Sequence, residues 1–282
     1  MQYPRLPAGL IYTTVVLALV LAAVGRRQQA SAPAAPPPQE HANLLLSAVT
    51  GFDPARLIRT GGEAAGGRLG SAFSVSETGV WLTARHVVEG CDKLAVMVSQ
   101  HQGVEAKVRW MGADDIAVLA TEGGAPPLAL ALDQASPPSG FHGFHPGFPG
   151  GLAGELATRY LGRQTTPVSA ALARSHGGYR EPVTVWAEAG RTEEMSDDLA
   201  GLSGAPVLND RGEVVGLTIA FAPRRGHIYA LPPETLAAAL KAAKVAVPHN
   251  GVGEAITFDD YGEVADSLRR DFRVAEVRCL TN

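Results

Sequence analysis

From about Leu69 onward the chain is cut into short apolar stretches, each closed by Gly, Pro, Asp or Asn. That rhythm excludes long helices from the body. Only extended strands joined by tight turns bury apolar side chains on so short a period. Ser71–Ser76 alternates small or polar with apolar residues, Glu77-Thr78-Gly79 reads as a turn, and Val80–Thr83 as the returning strand. Leu94–Val98, Val104–Met111 and Ile116–Ala120 are further strand candidates, followed by Pro182–Ala187, Val214–Ala220 and His227–Leu231. Asn209-Asp210-Arg211-Gly212 is the hairpin turn between Pro206–Leu208 and Glu213–Leu217. The spacing predicts an all-β sandwich or barrel. Helices are expected only at Pro233–Lys244, started by Pro232 and Pro233, and around Asp259–Arg270. A short strand near 246 and a last strand, Arg273–Leu280, complete the tail, and no internal repeat is visible.

Hydrophobic residues make up 46% and charged residues 18% of the 282, which is the balance of a globular chain. A formal net charge of −4 gives no footprint for nucleic acid. The N-terminus differs from the body. No charged residue lies between Leu6 and Gly25, and Leu10–Val24 is nearly all apolar. The run is just long enough to span a bilayer, and it also fits the core of a signal peptide cut at Ala30-Ser31-Ala32. Arg26 and Arg27 stand between the run and that site, which favours an uncleaved anchor. The expected organisation is an anchor or signal over 1–27, a Pro/Ala-rich linker over 28–41, a folded domain over 42–246 and an extension over 247–282. Residues 42–50 read as a short helical lead-in to that domain. With the body exported, periplasmic or extracellular, the two cysteines, Cys91 and Cys279, are free to pair as a disulfide; two free buried thiols are the alternative.

Acyl-transfer chemistry on a hydroxyl needs a nucleophile, a base to take its proton, and a carboxylate to orient the base. His86 follows the strand Val80–Thr83 in GVWLTARHVVEGC. Asp115 precedes the apolar strand in GADDIAVLA, with Asp114 a competitor by spacing. Ser203 sits in AGLSGAPVL, where Gly201 can turn its backbone N–H toward a developing oxyanion and the N–H of Ser203 is a second donor. The glycine two places after the serine that marks an α/β-hydrolase elbow is absent, since Ala205 stands there. The order His, Asp, Ser belongs to the chymotrypsin group.

Gly70–Cys91, with its G-S-x-F and L-T-x-x-H-V-V patterns, resembles the histidine segment of HtrA/DegP-like trypsin-fold peptidases. DDIAVLA resembles their D-I-A-x-L motif, which selects Asp115 over Asp114. GLSGAPVLNDRGEVVGL resembles their serine segment, GHIYALP their closing strand, and FHPGFPGG their turn between barrels. The similarity covers roughly 68–245. It implies two six-stranded antiparallel β-barrels followed by a C-terminal helix and a small α/β tail. His86 and Asp115 would stand on the first barrel and Ser203 on the second, with the site between them. It implies a serine endopeptidase acting on polypeptide substrates through an acyl-enzyme, with no cofactor.

The chain departs from that pattern in places. Leu202 and Ala205 replace the polar residue and the glycine that flank the serine in the family, and no room is left for a PDZ domain after the helix, so no oligomeric state follows. The departures keep a second reading open, a trypsin-like peptide-binding body with little turnover; the presence of all three triad residues favours the enzyme. Asp197, six before Ser203, stands where an acid selects basic side chains in trypsin-like enzymes, though EEMSDD also reads as a solvated acidic loop. His142 and His145 form an H-x-x-H pair in a Gly/Phe-rich stretch with no Cys or carboxylate beside it, which reads as a turn and not a metal site.

Overall fold

The computed structural model describes residues 57–59, 67–133, 137–167, 180–192, 195, 199–246 and 253–280. The expected anchor, linker and lead-in helix, and Asp197, lie outside them. Among the described residues no helix is long and apolar enough to cross a membrane.

Among the described residues fourteen strands form two closed sheets. The first carries β1 (Leu57–Arg59), β2 (Arg68–Ser76), β3 (Val80–Thr83), β4 (Lys93–Ser99), β5 (Gln102–Met111), β6 (Ala117–Thr121) and β14 (Val274–Leu280) in the order β1-β5-β4-β14-β2-β3-β6. A β5–β6 pairing closes six of these into a barrel, with β1 outside on β5. The second carries β7 (Ala129–Leu130), β8 (His142–Gly147), β9 (Gly154–Pro167), β10 (Arg180–Arg191), β11 (Pro206–Leu208), β12 (Glu213–Ala222) and β13 (His227–Leu231). It closes through β11–β12, with β7 parallel to β12 outside the ring. The two-barrel fold expected from the motifs is the one observed. Closure leaves few strand edges unpaired, which a mostly β chain otherwise has to protect.

Among the described residues the α-helices are α1 (Arg85–Val88), α2 (Pro233–Ala242) and α3 (Tyr261–Arg270). α1 is a single turn between β3 and β4, and it presents His86 at the end of a fully buried strand. Leu236 and Leu240 of α2 are buried, as their spacing predicts.

The tail is built into the body. β14 runs antiparallel between β2 and β4, pairing Val274–Cys279 with Arg68–Phe73 on one side and Val277–Leu280 with Lys93–Val96 on the other. It is the sixth strand of the first barrel, so the stretch expected to form a separate extension completes the peptidase-like body. Residues 253–260, near where a short strand was expected, are irregular. α3 ties the tail to the other barrel as well. Arg269 donates to Glu155 Oε2 at 2.8 Å and to the Gly154 carbonyl on β9, and both side chains are almost fully buried. Cys91, three residues past α1, is bonded to Cys279 on β14, with Cα atoms 5.4 Å apart.

His142 and His145 lie in strand β8 and not in a turn; every residue of the strand after His142 is buried, and β9 on one side and β11 on the other hold it. Both ring nitrogens of His145 are engaged, Nδ1 with Thr218 Oγ1 and Nε2 with Thr158 Oγ1, each at 2.9 Å. Full burial pushes its pKa down to about 3, against 6.5 for an ordinary histidine. In the unfolded chain the ring takes a proton below about 6.5, and in the folded one only near 3. Stability from this group is therefore complete above pH 6.5 and is lost as pH falls toward 3, at up to about 1.4 kcal/mol per pH unit. Urea midpoints measured between pH 7 and pH 4 are expected to fall more steeply for the native chain than for His145→Gln. Equal slopes would show that the ring does not control acid stability.

Candidate active site

Asp115 is fully buried at the mouth of β6. Both of its carboxylate oxygens turn to one residue. Oδ1 accepts the backbone N–H of His86 at 2.8 Å, and Oδ2 lies 2.6 Å from His86 Nδ1. An ionised carboxylate only accepts, so Nδ1 carries the proton and Nε2 keeps its lone pair. The His86 side chain is 20% exposed, so the ring is held at one end and open at the other. The partner of His86 is Asp115, not Asp114.

Ser203 is the second residue of the latter of two successive turns that share Leu202. Leu202 N–H bonds to the Leu199 carbonyl, and Ala205 N–H to the Leu202 carbonyl. The third residue of each is a glycine at positive φ, Gly201 at +97° and Gly204 at +93°. That is the signature of type II turns, which demand glycine there. Space demands it too. A Cβ on Gly201 would stand 2.4 Å from the Phe148 carbonyl oxygen, and one on Gly204 2.0 Å from that of Ser71. Among the described residues, the N–H groups of Gly201 and Ser203 meet no acceptor. Two unpaired donors beside one hydroxyl are suited to receive a negative oxygen.

The first barrel grips this loop. Ser71 of β2 donates its backbone N–H to the Ser203 carbonyl at 2.8 Å and its Oγ to the Gly201 carbonyl at 2.8 Å, and it accepts the N–H of Phe148 at 3.0 Å. In the sequence Ser71 is a strand residue and the serine of the G-S-x-F pattern, with no sign of its hold on the Ser203 loop. The missing side chain of Gly204 also lets the loop abut Thr83 Oγ1 and the N–H of Ala84, immediately ahead of α1 and His86. The Ser203 hydroxyl is half-buried and directed to the Ile219 carbonyl, 3.4 Å away.

The departures at Leu202 and Ala205 fit the same loop. Leu202 is 2% exposed and packs close to Gly147, whose Cβ would stand 2.8 Å from Leu202 Cδ1. A polar side chain in that apolar wall would need a partner. Ala205 is fully buried, and among the described non-glycine residues only Lys244 and Phe272 have positive φ, so its methyl meets no backbone strain.

Glu181, at the start of β10, was not anticipated as part of the site. Its Oε2 accepts the N–H of Asp115 at 2.7 Å, from the opposite barrel.

Residues 70–217 match the trypsin-like peptidase domain. The chain is 31% identical over 195 residues to a putative serine protease HhoA of Synechocystis sp., covering 65% of this chain and 45% of that protein. It is 29% identical over 210 residues to a probable periplasmic serine endoprotease DegP-like of Halomonas elongata, covering 73% and 36%. The chain thus spans less than half the length of these two relatives. The crystal structure of the active form of the Rv3671c protease from M. tuberculosis covers 91% of this chain and 99% of its own, with 20% identity and a TM-score of 0.51; the likeness is one of fold.

Proposed function

The chain belongs to the trypsin-like peptidase family, and from that premise we propose that it is a serine endopeptidase using His86, Asp115 and Ser203. The observation that carries this is the His86–Asp115 pair, whose bonding leaves Nε2 as the free base, on the barrel face that abuts the Ser203 loop. In the reaction Ser203 Oγ attacks the scissile carbonyl carbon and its proton passes to His86 Nε2. The carbonyl oxygen becomes an oxyanion held by the N–H groups of Gly201 and Ser203. The C–N bond then breaks as His86 returns the proton to the leaving amine, and the acyl-enzyme is hydrolysed by water along the same route. Asp115 keeps the ring in its tautomer and stabilises its charged form.

The substrate class is an exposed segment of polypeptide. The proposed location is the exported side of a membrane; the uncharged run Leu6–Gly25 supports an anchor, and the Cys91–Cys279 bond supports an oxidising compartment. The DegP-like relative is named periplasmic.

A fluorophosphonate probe, which bonds covalently to an activated serine, tests the reading. The native protein is expected to be labelled, and Ser203→Ala is expected to carry no label. A native protein that folds yet takes no label at Ser203 would favour a peptide-binding body without turnover.

A further inference from the structure

Glu181 is an acid in contact with the site that the mechanism above does not use. It is fully buried. Oε2 holds the N–H of Asp115, and Oε1 is buried with no hydrogen-bond partner. The charged and titratable groups that face it are Asp115 and Asp114, from the loop before β6, and His86 of α1. Across the β9–β10 ladder its neighbour is Thr166. A carboxyl without a cation, desolvated and close to two other acids, is costly to ionise. Burial, with Asp115 and Asp114 adding to it, pushes its pKa up to about 7. A neutral amide would meet the Asp115 N–H without that cost.

We propose that Glu181 is a positioning residue for the His86–Asp115 pair, holding the Asp115 main chain from the opposite barrel and setting the charge behind its carboxylate. The inference rests on the endopeptidase reading. Two effects follow from the geometry. The N–H that Glu181 holds belongs to the residue whose carboxylate makes both bonds to His86, so a slackened Asp115 backbone moves the base itself. The second effect is electrostatic. With a proton on Glu181, Asp115 alone faces the imidazole ring. Once Glu181 ionises, a second negative charge favours the imidazolium and holds back the free base.

The test is the rate of fluorophosphonate labelling of Ser203 as a function of pH, in native protein, Glu181→Gln and Glu181→Leu, with thermal unfolding of each. Gln keeps an acceptor for the Asp115 N–H and removes the charge. Its acid limb is expected to move to lower pH by on the order of half a unit, with a plateau rate within about threefold of native. Leu removes the acceptor, and labelling is expected to slow by about tenfold or more at every pH. Recovery by Gln of what Leu loses separates positioning from bulk. An unmoved acid limb in Glu181→Gln, or a Glu181→Gln protein that does not fold, would overturn the proposal and leave Glu181 a structural residue. Absence of label on the native protein would overturn the endopeptidase reading, and this inference with it.

Discussion

Asp115→Asn is expected to leave the fold intact and slow Ser203 labelling about ten-thousandfold near neutral pH. The amide keeps the shape of the carboxylate. Its oxygen can still accept the backbone N–H of His86, the bond now made at 2.8 Å. The amide nitrogen then faces Nδ1 and donates to it. That drives the ring proton to Nε2, the nitrogen that must be free to take the proton of Ser203. The loss is thus one of tautomer, with little change in packing. Circular dichroism and thermal unfolding should match the native protein while the labelling rate collapses. A rate within about tenfold of native would remove Asp115 from the mechanism.

The second large effect is on stability. Replacing Cys91 and Cys279 together with serine releases a cross-link between positions 188 apart in sequence. The unfolded chain gains conformational freedom worth up to about 5 kcal/mol on a loop-entropy estimate. The bond also secures the end of β14, a strand flanked on both sides by partners from the other end of the fold. Urea unfolding of the double variant is expected to show a loss of several kcal/mol with a steeper slope, because the unfolded chain without the cross-link is less compact. A loss below about 1 kcal/mol would mean that strand pairing alone holds β14.

Local patterns were readable in the sequence, and pairings between distant segments were not. His227–Leu231 and Val80–Thr83 appear as strands with the boundaries expected, because alternation and flanking turns are written into neighbouring residues. His86 and Asp115 stood out because each lies next to such an element, and Ser203 because glycines flank it and it completes the order His, Asp, Ser. β8 was misread as a turn because its Gly and Pro, ordinarily turn-formers, sit in a strand gripped by β9 and β11. β9, with its polar GELATRYLGRQTTP, carried no strong apolar alternation and was not anticipated as a strand. Glu181 gave no signal beyond a charge at a strand start. Its relation to Asp115 exists only once two barrels face each other. The tail strand was recognised as a strand, yet its insertion between β2 and β4 depends on segments some two hundred residues away.

That insertion orders events during synthesis. Everything that forms the second barrel emerges after β6 and before β14, about 150 residues of chain. At about 5–20 residues per second the half-built first barrel, with the gap between β2 and β4 unfilled, waits on the order of ten seconds for its final stave. The second barrel can close first, reversing the usual N-to-C sequence of domain folding. Through that interval β2 and β4, which flank the gap, expose raw edges, the state in which nascent β chains are most prone to aggregate.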